Sequence, residues 1–207
     1  MRTRIYVDAF NLYYGSLKGT SYKWLDLLAL SKQLLKPENQ IVGIKYFTAL
    51  VTPRPNDPNQ LTRQKIYLRA LETINTQVVY GHYLSHIVNM KVANPSPGQS
   101  PFVSVIKTEE KGSDVNIASH MLMDAFDNTY DCAVLISGDS DLATPVKMIV
   151  SKFHKTVGVL NPQQNECRTL KKDASFYKHI REPALASSQF APVLTDSRGT
   201  FHKPPSW

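Results

Sequence analysis

Four aspartates fall where a folded chain could gather them. Asp8 ends the apolar run Ile5-Tyr6-Val7, and Asp139 and Asp141 follow Ala133-Val134-Leu135-Ile136 in the segment Ser137-Gly138-Asp139-Ser140-Asp141. Asp114, in Lys111-Gly112-Ser113-Asp114, comes after a strand-like run ending near Lys107 and opens a helix-like stretch. Strand C-termini of a parallel sheet share one edge, where binding crevices form. Three segments would thus deliver four carboxylates to the same place. Ionised carboxylates at short range raise each other's pKa, so such a cluster calls for a cation. Oxygen-only ligation points to a hard ion, Mg²⁺ or Mn²⁺ rather than Zn²⁺. Such an ion can activate water and neutralise charge on a phosphodiester during in-line attack.

Each acid also has a plainer explanation. Asp114 could be a helix N-cap, although Ser113 could do that work and free the carboxylate. Asp139 and Asp141 could shape a strand-to-helix turn. Asp8, following a buried strand and preceding Ala9-Phe10, has little evident local use. Taken together, the four favour a site.

The elements that must position these acids alternate between short β-branched or aromatic runs and helix-like stretches, the pattern of an α/β fold with parallel strands. Strands are predicted over Arg4 to Val7, Val42 to Leu50, Val78 to Leu84, Phe102 to Lys107, Ala133 to Ile136 and Thr156 to Leu160. Helices are predicted over Leu25 to Leu35, Leu61 to Asn75, Val115 to Phe126 and Pro145 to Phe153. Helical spacing puts Val115, Ala118, Leu122, Ala125 and Phe126 on one buried face, and Val146, Ile149, Val150 and Phe153 on another. One domain over 1–181 is expected. Residues 182–207 read as a Pro- and Ser-rich tail without helical or strand period, either mobile or packed as an extended segment.

Composition narrows the function classes. At 207 residues the chain can bury one core. It has no apolar run long enough for a membrane span and no signal-peptide pattern, so a cytoplasmic location is expected. Two cysteines, Cys132 and Cys167, at no finger-like spacing argue against a thiolate zinc site. A net charge of +7 favours a polyanionic partner, since neutralising phosphates releases counterions.

Three ordered segments carry a resemblance. Tyr6-Val7-Asp8-Ala9-Phe10-Asn11-Leu12, Glu110-Lys111-Gly112-Ser113-Asp114 and Leu135-Ile136-Ser137-Gly138-Asp139-Ser140-Asp141-Leu142 look like the signature segments of the NYN domain, a branch of the PIN-like nucleases. The match is nearest the LabA-like bacterial branch and spans roughly Arg2 to Ile180, judged by where the alternating pattern holds. The resemblance implies a three-layer PIN-like sandwich, a central mainly parallel sheet flanked by helices. It also implies Mg²⁺- or Mn²⁺-dependent cleavage, usually of RNA. Asp8, Asp114, Asp139 and Asp141 would be the metal-binding acids, and Asn11 would position a ligand or the attacking water. Ala9-Phe10 departs from the small or acidic residues more usual before the asparagine.

Weaker candidates surround this set. Lys111, Ser137, Arg54 and Arg63 are candidate substrate contacts. Glu109 and Glu110 could add an acid but read more simply as surface groups. A homo-oligomer is compatible with the sequence. Among rival functions, a haloacid-dehalogenase-type phosphatase needs a second acid where Phe10 stands, and a dinucleotide-binding oxidoreductase lacks Gly-x-Gly-x-x-Gly after the first strand. A non-catalytic nucleic-acid-binding or regulatory module stays open as the alternative to a nuclease.

Overall fold

A computed structural model describes residues 1–53 and 55–207; Arg54, a candidate phosphate contact, lies outside the described residues. Six parallel strands form the central sheet: β1 (Arg2–Asp8), β2 (Gln40–Thr48), β3 (Thr76–Tyr80), β6 (Cys132–Ile136), β7 (Thr156–Asn161) and β8 (Phe176–His179), in the order β3-β2-β1-β6-β7-β8. The first strand is central, and the order reverses on either side of it. In an open α/β sheet such a switch point opens a crevice outside the strand C-termini, here those of β1 and β6.

Alternation along β1 divides the core. Ile5 and Val7 face a cluster with Trp24, residues of α2 (Leu27–Leu34), α3 (Gln60–Glu72) and α7 (Glu182–Ser187). Tyr6 faces the other cluster, made with α4 (Ser113–Phe126), α5 (Ala143–Lys152) and α6 (Arg168–Asp173). The result is an α/β three-layer arrangement consistent with a PIN-like sandwich. Among the described residues, no helix is long and apolar enough to cross a membrane. Both cysteines are free thiols.

Two expectations are corrected. The run Val78 to Leu84 is not one strand: it breaks at Gly81 into β3 and β4 (His82–Lys91). A Cβ at position 81 would lie 2.6 Å from a Glu110 carboxylate oxygen and 2.7 Å from the Lys111 carbonyl, so only glycine lets the chain pass. Strand β4 pairs antiparallel with β5 (Phe102–Lys111) in a separate two-stranded ribbon, so the strand before Asp114 is not part of the parallel sheet.

The second correction concerns α4, which buries Ser113, Ile117, Met121, Asp124 and Ala125, leaving Val115 69% and Phe126 74% exposed. Buried Asp124 decides this rotation. Its carboxylate accepts from Lys45 Nζ at 2.6 Å and from the Tyr6 hydroxyl at 2.7 Å, with His120 Nδ1 3.1 Å from the same amine. An unpaired buried charge costs more than exposed apolar surface, so the polar pairing overrides the apolar count. By contrast, α5 buries Val146 and Ile149 and packs Val150 and Phe153 as its period predicts.

Residues 182–207, where the sequence shows no period, carry α7 and a hairpin of β9 (Val193–Asp196) and β10 (Gly199–His202). Trp24 packs against Phe190, Phe201 and Trp207, and its indole N–H donates to the Ala191 carbonyl at 2.9 Å. Arg69 grips Asp196 through two bonds of 2.8 and 2.7 Å while lying over the Phe201 ring.

Candidate active site

Asp8 ends β1 almost fully buried, and contrary to the sequence expectation it has local work. One carboxylate oxygen caps α1 (Ala9–Leu12) by accepting the Asn11 N–H at 3.0 Å. The other accepts the Ser137 hydroxyl at 3.0 Å. Ser137, also buried, accepts the Asp139 N–H at 3.0 Å. The hydroxyl of Ser137 is therefore spent tying the first aspartate to the loop that carries the next two. Asp139 accepts the Asp141 N–H at 3.0 Å, capping the 3-10 turn Ser140–Leu142 that leads into α5.

Asn11 holds this loop from below. Its side-chain oxygen accepts from Gly138 N at 2.8 Å and from Gln163 Nε2 at 3.1 Å. A Cβ on residue 138 would sit 2.3 Å from Asn161 Oδ1, so the glycine permits the close approach of the loop to the end of β7. Asn161 and Gln163 are supports that the sequence did not single out. Their signal, an amide pair straddling Pro162 just beyond a buried strand, is too common to distinguish.

Asp114 arrives from the other direction. The N-cap of α4 is Gly112, not Asp114 or Ser113, and the upstream Glu110 carboxylate accepts both the backbone N–H (3.1 Å) and the hydroxyl (2.6 Å) of Ser113. Asp114 in the first helical turn is left free for the site, facing solvent on one side.

The acids sense one another. Burial pushes the Asp8 carboxyl up to about 6; the Asn11 and Ser137 bonds oppose the shift, and the charges of Asp114 and Asp139 add to it. The Asp114 carboxyl is also raised, first by desolvation and then by Asp139, Glu110 and Asp141. Glu110 thus belongs to the electrostatic neighbourhood.

The other candidates stand apart. Lys111 is exposed and pairs with Glu109 at 3.4 Å. Arg63 pairs with Asp57 beside the start of α3. Among the described residues, no ion pair joins either cation to the four aspartates.

Two hollows, the nearer mainly polar and the next of mixed lining, continue from the acidic loop along the ends of β7 and β8. The nearer, about 510 Å³, is lined by Gly138, Ser140, Gln163 and Tyr14, whose ring is 58% exposed. The next, about 550 Å³, shares Gly15 and Gln163 and adds Tyr22, His179 and Arg181. The Lys18 amine lies 4.8 Å from the centre of the Tyr14 ring.

A hard divalent cation suits this donor set chemically: the groups are carboxylates and two have raised proton affinity through mutual repulsion and burial. The set is open rather than collapsed. Among the described residues, no group of three or more His, Cys, Asp or Glu side chains is gathered closely enough to hold an ion by itself. Mg²⁺ keeps several of its own waters and needs only one or two direct carboxylates, so this spacing is compatible with it.

The sequence profile of the NYN domain matches residues 2–180. The chain belongs to the NYN domain family. The NYN domain family is generally nuclease-like. The chain is also similar to 6-hydroxy-3-succinoylpyridine 3-monooxygenase HspA of Pseudomonas putida, 31% identical over 236 aligned positions that cover all of this chain and 75% of that protein. In fold it resembles a protein of unknown function from Vibrio parahaemolyticus, with a TM-score of 0.56 at 21% identity, covering 87% of this chain and 93% of that one. This last likeness concerns architecture alone.

Proposed function

We propose that the protein is a divalent-metal-dependent nuclease acting on RNA, with Asp8, Asp114, Asp139 and Asp141 as its metal-holding acids. The observation that carries this reading is the buried Asp8 carboxyl at the end of the central strand, raised to about 6 in part by the charges of Asp114 and Asp139. Carboxylates whose proton affinity is raised by burial and by one another's charge are suited to a bound cation. Bound there, Mg²⁺ or Mn²⁺ would supply Lewis acidity and an activated water.

The chain's own residues supply orientation. Ser137 and Asn11 fix Asp8 and the loop 137–141 relative to each other. Gly138 and Ser140, on either side of Asp139, line the start of the hollows, whose amides, hydroxyls and exposed Tyr14 suit a single strand threaded along the sheet edge. Aromatic faces stack bases without regard to sequence, and the +7 charge favours a polyanion.

Incubating the purified protein with Mn²⁺ and a generic single-stranded RNA tests this. Cleavage should leave a 5′-phosphate and a 3′-hydroxyl, as expected when water attacks in line. Asp8→Asn and Asp141→Asn, purified identically, should lose at least about 100-fold in rate while RNA affinity changes little, because the acids act in the transition state. RNA binding without cleavage in the wild type would favour the regulatory-module alternative.

A second reading rests on the full-length likeness to HspA. It would make the chain an oxygenase of a small hydroxylated heteroaromatic acid, the hollow beside His179 and Arg181 receiving the acid. Oxygen uptake in the presence of an added two-electron reductant, with 6-hydroxy-3-succinoylpyridine offered as substrate, distinguishes it. Uptake that survives Asp141→Asn would set the metal-nuclease reading aside.

A further inference from the structure

The four most exposed large aliphatic or aromatic side chains of the described residues fall in one stretch of chain: Ile106 (77%), Ile87 (74%), Phe126 (74%) and Val115 (69%). Ile87 and Ile106 are direct cross-strand partners on the β4–β5 ribbon. Their ribbon face continues with Ser85, Asn89, Ser104 and Thr108, so its middle is uncharged; Ser85 bonds to Thr108, and Ser104 to Asn89. Phe102 lies farther along the same face and is also more than half exposed. Val115 and Phe126 lie with Ser119 and Leu122 on the outer stripe of α4, opposite Ile117, Met121 and Asp124, and this stripe too lacks charge.

Among the described residues, Leu122 packs partly against the core, but Ile87, Ile106, Val115 and Phe126 stay largely exposed. A two-stranded ribbon is marginal unless something packs on it. A helix apolar on two opposite faces is a helix with two partners, and the sheet accounts for only one. Uncharged surfaces on a chain of net charge +7 do not suit nucleic acid or an acidic peptide. Burying these four side chains with Phe102 and Met123 would remove on the order of 700 Å² of apolar surface from water, close to the roughly 800 Å² per partner of a stable interface.

We propose that a second copy of this chain covers them. In a two-fold dimer the ribbon of each protomer lies across the outer stripe of α4 of its partner. The chain carries both halves of the contact, as a self-complementary two-fold interface requires. Because Asp114 lies in the first turn of α4, such a dimer would also brace the helix that carries this acid.

Sedimentation velocity on the full-length protein at micromolar concentration tests this, with Ile106→Glu on the ribbon and Phe126→Lys on the helix. Both positions are exposed in the protomer, and circular dichroism should show each variant folded. The wild type should sediment as a dimer, and each variant alone should dissociate at least about 100-fold more readily, as for loss of an interfacial anchor. An equimolar mixture of the two variants should recover the dimer, since one contact is then intact and the other sets Glu against Lys. A monomeric wild type, or variants that stay dimeric, would overturn the proposal. A mixture that stays monomeric would overturn the ribbon-on-helix arrangement.

Discussion

Asp8 illustrates how a single side chain can be both structural and poised. It caps α1 and anchors Ser137, yet its carboxyl is raised to about 6 because burial and two neighbouring charges outweigh those bonds. For a carboxyl raised in the folded state, the native protein holds the proton more tightly than the unfolded chain. The stability this brings is fully present below the unfolded value and is lost as pH rises through about 6. Without metal, the wild type should lose up to about 3 kcal/mol between pH 4 and 7.5 through this group. Asp8→Asn should flatten that part of the profile and be the more stable protein at pH 7.5, as read by urea unfolding at both pH values. Millimolar Mn²⁺ should stabilise the wild type at pH 7.5 and leave the variant nearly unmoved. A wild type that gains stability from pH 4 to 7.5 in the same assay would refute the assignment.

Among the elements, α4 matters most because its rotation sets where Asp114 points. The helix is held by the buried group of Asp124, Lys45, Tyr6 and His120, not by its most apolar stripe. Burial and the adjacent Lys45 amine both lower the His120 pKa, in that order of weight, with Asp124 opposing. Lys45→Met should cost about 3 kcal/mol, because it leaves Asp124 only the more distant Arg4 guanidinium, at 3.8 Å, as a counter-charge. The double change Lys45→Met with Asp124→Leu should recover a good part of that loss, which denaturant unfolding would reveal. If the double variant is no better than the single, the charge pairing is not what seats the helix.

For the whole molecule, residues 182–207 close one face of the sandwich. Phe190, Phe201 and Trp207 surround the buried Trp24 indole, and Arg69 is tied to Asp196. Removing everything after Arg181 would uncover Trp24 and strand Arg69 without its partner. Each lost aromatic contact of this size is worth several kcal/mol, comparable to a domain's entire margin of about 5–15 kcal/mol. The truncated chain should therefore melt at least about 10 °C lower or fail to remain soluble, checked by thermal scanning beside the full chain. An unchanged melting temperature would make the segment an independent appendage.

The chain's sequence by itself determines the α/β class, the strands that end in Asp8 and lead to Asp139, and the NYN family, because local apolar period and ordered motifs carry that information. Helix α5 is legible for the same reason: its buried face is wholly apolar. Tertiary structure alone decides three things. It rotates α4 through a buried aspartate whose partners lie 79 and 118 residues away. It removes β4 and β5 from the sheet at Gly81, where the obstructing atoms come from Glu110 and Lys111. It also spends Ser137 and Asn11 on positioning the acids, through bonds that span 129 and 127 residues. In each case the deciding energy is a polar contact or a close approach between segments distant in sequence, and no local window contains both partners.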